Sequence, residues 1–136
     1  MKTNEPLNLR AVMTGFLSDM GGTYLFLFAL LIVLYNPGSS SVCLAERIED
    51  PLPLNLLLMI VGIGITALGG FVAARLAGRD GLRHGMAVGC LSLVASFFMC
   101  NFDFSPLSLL GYVLTIPMAG FGGMCANLFP PSQNYR

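Results

Sequence analysis

The chain has 136 residues, of which 55% are hydrophobic and only 10% charged, with a formal net charge of zero and a mean hydropathy of +0.76. A chain this short cannot hide so much apolar surface inside a soluble core, where about a quarter of residues are usually charged. Neutral balance and the lack of a basic run with interleaved aromatics argue against nucleic acid as a partner.

The chain opens on a polar stretch, residues 1–8, with Lys2 and, just beyond it, Arg10. From Phe16 to Tyr35 the one charged residue is Asp19, and as a helix those 20 residues cover about 30 Å, enough for a hydrocarbon core. A cleaved leader is the competing reading, with Lys2 and Arg10 as its basic region. Its apolar core is too long for that, and three more spans follow. Asn36-Pro37-Gly38 and three serines end the first span. An acidic loop with Glu46, Glu49 and Asp50 follows, long enough for a short surface helix over Val42–Ile48. Pro51 and Pro53 open the second span, where a missing N–H costs little.

The second span, Leu54 to Ala74, carries no charge, nor does the third, Gly85 to Cys100. Between them Arg75, Arg79 and Arg83, framed by Gly78 and Gly81, read as a basic turn. Asn101 to Ser105 make a tight connection, and Pro106 starts the fourth span, Leu107 to Phe129, which Pro117 should kink. The expectation is one all-α transmembrane domain over residues 1–136, a four-helix bundle. Lys2, Arg10, Arg75, Arg79, Arg83 and Arg136 fall on one side and Arg47 alone on the other. Positive residues stay inside, so both termini and the central loop are expected in the cytoplasm.

Helices in lipid associate through close packing of small residues. At a spacing of four the second span offers Gly62, Thr66, Gly70, Ala74 and Gly78, and the fourth offers Gly111, Thr115, Ala119 and Gly123. The third begins Gly81, Gly85, Gly89 and continues, shifted by three, as Ser92, Ser96, Cys100; in the first the small face is Thr14, Ser18 and Gly22. Such stripes serve the inside of the bundle, or leave one facing outward for an oligomer or another subunit. Short matches, Gly15–Ser18 with Gly89–Ser92 and Gly69-Gly70 with Gly122-Gly123, suggest two hairpins repeated about an axis along the membrane normal.

Asp19 is the one ionisable residue inside a span, where a charge costs on the order of 3 kcal/mol. If the span starts at Phe16, Asp19 lies one turn from the cytoplasmic surface. It then either pairs with Arg75 or Arg79 or serves as a proton or ion site, with Thr66, Thr115 and Asn127 completing a path. The three arginines read as a topology anchor against anionic headgroups, with a phosphorylated ligand as the alternative. His84, the single histidine, reads as an interfacial polar residue, and no metal or cofactor is expected. Cys90 and Cys125 lie inside spans; Cys43 and Cys100 fall on the outer side, where a disulfide between them is open. Neither a Cys-x-x-Cys pair, nor a serine–histidine–acid set, nor a phosphate-cradling loop is present, so no enzyme is expected.

Gly69-Gly70, Ala74-Arg75, Gly81, His84-Gly85 and Gly89, together with Gly122-Gly123 and Asn127, resemble the YrzE-like family of small bacterial membrane proteins. The likeness covers about half the chain and rests mostly on glycines. Ala74 departs from it, standing where the pattern has glycine, as does the long acidic first loop. The resemblance implies a four-helix protein of the bacterial inner membrane and carries no activity. Two function classes follow: a non-catalytic scaffold or accessory subunit, oligomeric or joined to other membrane subunits, and a small oligomeric channel or transporter using Asp19.

Overall fold

The computed structural model describes residues 7–34, 52–78, 80–99 and 105–129. Among them are four helices, α1 (Leu9–Leu34), α2 (Leu52–Ala77), α3 (Gly81–Met99) and α4 (Pro106–Leu128). Each is long and apolar enough to cross a membrane, which fits a multi-pass membrane protein. The acidic first loop with its surface helix, Arg79, Cys43, Cys100 and the disulfide between them, and residues 101–104 lie outside the described residues.

α1 begins at Leu9, seven residues before the span expected from Phe16. The cause is Asn8, whose side-chain Oδ1 accepts from the Ala11 N–H at 3.3 Å and whose carbonyl accepts from the Val12 N–H at 3.1 Å. The side chain thus caps one of the N–H groups that a helix start leaves unpaired, and the carbonyl takes the first intrahelical bond. α4 starts in the same manner: Ser105 Oγ accepts from the Ser108 N–H at 3.3 Å, and Pro106 follows in the first turn. α4 is continuous through Pro117.

α2 and α3 are joined by three residues. Gly78 ends α2 with φ +68°, donating its N–H to the Ala74 carbonyl at 3.0 Å, and Asp80 turns the chain again with φ +43°. A left-handed residue is the common way to stop a helix, and glycine takes it without a Cβ penalty. Gly78 is therefore an exposed turn residue, not the last member of a packing stripe.

α2 packs against α1, α3 and α4, and α3 against α1 and α4. The bundle has an arginine end, where α1 and α3 begin and α2 and α4 finish, and an opposite end. Contacts at the arginine end are backbone to backbone. A Cβ at Gly15 would sit 2.6 Å from the Gly69 carbonyl oxygen, and one at Gly70 or Gly85 would run into the Ala119 carbonyl. Gly122 meets the Ala67 carbonyl and Gly123 that of Gly81 in the same manner. The interior here is Val12, Ala73, Ala74, Val88, Ala119 and Ala126, almost all small. Large apolar side chains point away from the bundle: Leu25, Phe28, Phe98, Val113 and Leu128 are all more than 60% exposed.

Gly70, Ala74, Ala119 and Gly123 lie in these seams, as do Gly81, Gly85, Gly89 and Ser92 of α3. The face of α1 differs from expectation. Thr14 and Ser18 are exposed, whereas Gly22 packs as expected, on a side it shares with Gly15 and Asp19. The hairpin equivalence breaks at the same place, because Ser18 is exposed while Ser92 is buried.

Candidate functional site

Counted from Leu9, Asp19 is ten residues into α1, about 15 Å along its axis and near mid-span, not one turn from the surface. It is 1% exposed. Gly69 makes room for it: a Cβ there would lie 2.8 Å from the Asp19 Cβ, so α2 can approach α1 at this level only without a side chain. Thr66, one turn earlier on α2, donates its hydroxyl to Asp19 Oδ1 at 3.0 Å, and Ser92 of α3 donates its own to Oδ2. Thr66 Oγ1 also lies 3.1 Å from the Gly62 carbonyl, the usual resting partner of a helical threonine. Three helices thus contribute one residue each to a buried carboxylate–hydroxyl cluster.

The expected ion pair with Arg75 does not form. Arg75 is nine residues beyond Thr66, about 13 Å along α2, and exposed. Its Nη1 donates to the Phe129 carbonyl just past α4, and its guanidinium lies 5.6 Å over the Phe71 ring. That places a cation on a helix C-terminus, where the dipole favours one. Arg83 is exposed at the start of α3.

From the Asp19 cluster toward the opposite end the helices separate around a half-open cavity of about 520 Å³. Its floor holds Asp19, Thr66 and Ser92. Thr23, Ser96 and Thr115 stand along the walls, and Asn55, Ser105 and Ser108 lie toward the far end, where α2 and α4 begin. Ser96 donates to the Ser92 carbonyl and Thr115 to the Gly111 carbonyl, both at 2.8 Å, so their hydroxyls are satisfied within their own helices. The apolar wall includes Leu58, Met59, Ile63, Leu107 and Tyr112, whose ring lies 4.5 Å from that of Phe97 by centroids. Asp19 is the only acidic residue lining the cavity among the described residues, and no Lys, Arg or His lines it.

Of the residues expected to form a path, Asp19, Thr66 and Thr115 share this cavity. Asn127 does not. It is exposed near the end of α4, beside Gly81, 12 residues and about 18 Å beyond Thr115. Gly62 and Gly111, expected in the packing seams, line the cavity instead: a Cβ at Gly62 would meet nothing within 4 Å. Ser92 counted only as a small packing residue in the sequence, and its spacing from Gly85 and Gly89 is what aims it inward.

A second polar link sits at the arginine end. His84 is 3% exposed; its Nε2 accepts from the Asn8 N–H at 3.0 Å, and its Nδ1 lies 3.1 Å from the Asp80 carbonyl. With Nε2 accepting, Nδ1 is the ring nitrogen placed to donate to the Asp80 carbonyl. His84 is thus a buried tie between the start of α1 and the α2–α3 turn, where an interfacial polar residue was expected. Cys90 is exposed and Cys125 half-buried, both as free thiols. No group of three or more His, Cys, Asp or Glu side chains is assembled among the described residues.

No protein-family model, curated protein or solved structure matches the chain.

Proposed function

We propose that this is an integral membrane transport protein, a small channel or carrier, in which Asp19 loads a proton or monovalent cation arriving through the cavity. The observation that carries the reading is a cavity of mixed lining that runs from Asn55 and Ser105 to a carboxylate buried at mid-span. An ionisable group at that depth is costly and is retained where it binds or moves charge. Arg10, Arg75 and Arg83 cluster at the other end, so the positive-inside rule turns the cavity away from the cytoplasm. Together with the YrzE-like resemblance, this favours the inner membrane of a bacterium. The glycine seams then close the cytoplasmic half, and transport requires those seams to shift.

The test is proton or potassium flux into liposomes containing the purified protein. Wild type is expected to carry current that Asp19→Asn loses while remaining assembled; equal flux in the variant would sink the role of Asp19. The accessory-subunit reading rests on α1, which turns Thr14 and Ser18 outward at the spacing of one helix face. Native mass spectrometry from the host membrane separates the two, since an accessory protein arrives with other subunits in fixed ratio.

A further inference from the structure

We propose that the occupant of the cavity is a small organic cation, a protonated amine with an apolar body, its ammonium seated on Asp19. The inference rests on the reading of Asp19 as a cation-loading site and narrows the cation. Size is the first argument. About 520 Å³ is far more than a bare ion fills and falls within the range of small-molecule pockets, commonly about 300–1,000 Å³.

The second argument is the balance of donors and acceptors on the floor. Thr66 and Ser92 supply one hydroxyl proton each, whereas their oxygens and the Asp19 carboxylate carry lone pairs well in excess of that. A group rich in N–H donors and positively charged complements such a floor. A phosphate or carboxylate would meet like charge with no basic side chain on the described wall. A divalent metal would find a single carboxylate.

The wall supplies the third argument. Leu58, Met59, Ile63, Leu107 and Tyr112 line the space above the floor, and a hydrated inorganic ion gains nothing from them. An alkyl body does, by leaving water. Asn55 and Thr66 are 11 residues apart on α2, so the body has about 16 Å of depth to occupy.

The experiment is calorimetric titration and thermal denaturation of the full chain in detergent, with n-butylammonium, 1-butanol and sodium as probes. The expected result is saturable binding of n-butylammonium near one per chain, a raised melting temperature, and neither effect from 1-butanol or sodium at equal concentration. Asp19→Asn should weaken the amine at least tenfold. Should that variant fail to fold, Gly62→Leu serves, because its new side chain enters open space in the cavity and should also abolish binding. Equal binding of 1-butanol, or unchanged amine binding in Gly62→Leu, overturns the proposal. If no amine binds while Asp19-dependent proton or potassium flux persists, the ligand class is wrong and the transport reading stands. If the amine binds and flux ignores Asp19, transport is wrong and the amine site stands.

Discussion

The two halves of the bundle are built on opposite packing rules. At the arginine end glycine and alanine let backbones touch, and no room remains between α2, α3 and α4. Toward the other end the facing residues include Met59, Phe97, Leu107 and Tyr112, which hold the helices apart around a cavity. Asp19 lies at the junction, with Gly69 beside its Cβ, and is among the residues that line the cavity. Where small residues bring backbones together the helices pack without intervening side chains. Where large ones separate them, polar groups can line a shared space.

The most severe way to break this contrast is to add a side chain to a seam. Gly122→Leu would drive its Cβ into the Ala67 carbonyl, a backbone atom with nowhere to move. Overpacking commonly costs about 1–3 kcal/mol, and with backbone as the obstacle the expected loss is at the upper end or beyond. The variant should lose its monodisperse peak in size-exclusion chromatography or melt far below wild type. A melting temperature within error of wild type would show that α2 and α4 are not held by this seam.

The four helices and the break between α2 and α3 were legible because a long uncharged run and glycines that frame a short polar stretch are strong signals. The start of α1 was not, because the apolar run begins later than the helix that Asn8 caps. The packed face of α1 was misassigned for a related reason. Counting only small residues passes over Asp19, which occupies the position between Gly15 and Gly22 on that side. With α1 begun too late, Asp19 was placed too shallow and within reach of Arg75. Asn127 lies three steps of four residues beyond Thr115 on α4, and helical rise carries it to the other end of the molecule. The cavity has no signature in sequence. It depends on where the seams stop, a property of four helices at once.

A milder perturbation reaches the arginine end through its tie. His84→Leu keeps the bulk of the side chain and removes both the acceptor for the Asn8 N–H and the contact to the Asp80 carbonyl. Asn8 is exposed, so water replaces the lost partner and the cost should be near 1 kcal/mol. Hydrogen exchange should then accelerate about fivefold in the first turn of α1, with the cavity half unchanged. Exchange rising equally along all four helices would mean that His84 supports the bundle as a whole and that the halves are not independent.

The smallest effect is the sharpest discriminator. Gly62→Ala places a methyl group where nothing lies within 4 Å, and Gly111→Ala brings one to 3.7 Å from Met59 Cγ, an ordinary contact. Neither glycine has a seam to preserve, so the usual preference of a helix for alanine should prevail, worth up to about 1 kcal/mol in favour of the variants. The Thr66 hydroxyl keeps its contact with the Gly62 carbonyl, a backbone atom the substitution leaves in place. Melting temperatures equal to wild type or slightly higher are therefore expected, against a fall for the same glycine-to-alanine change at Gly70, where the Ala119 carbonyl stands in the way. If Gly62→Ala and Gly70→Ala destabilise alike, α2 packs as tightly around Gly62 as around Gly70. The cavity would then be closed in the membrane, and Asp19 would have no route to it.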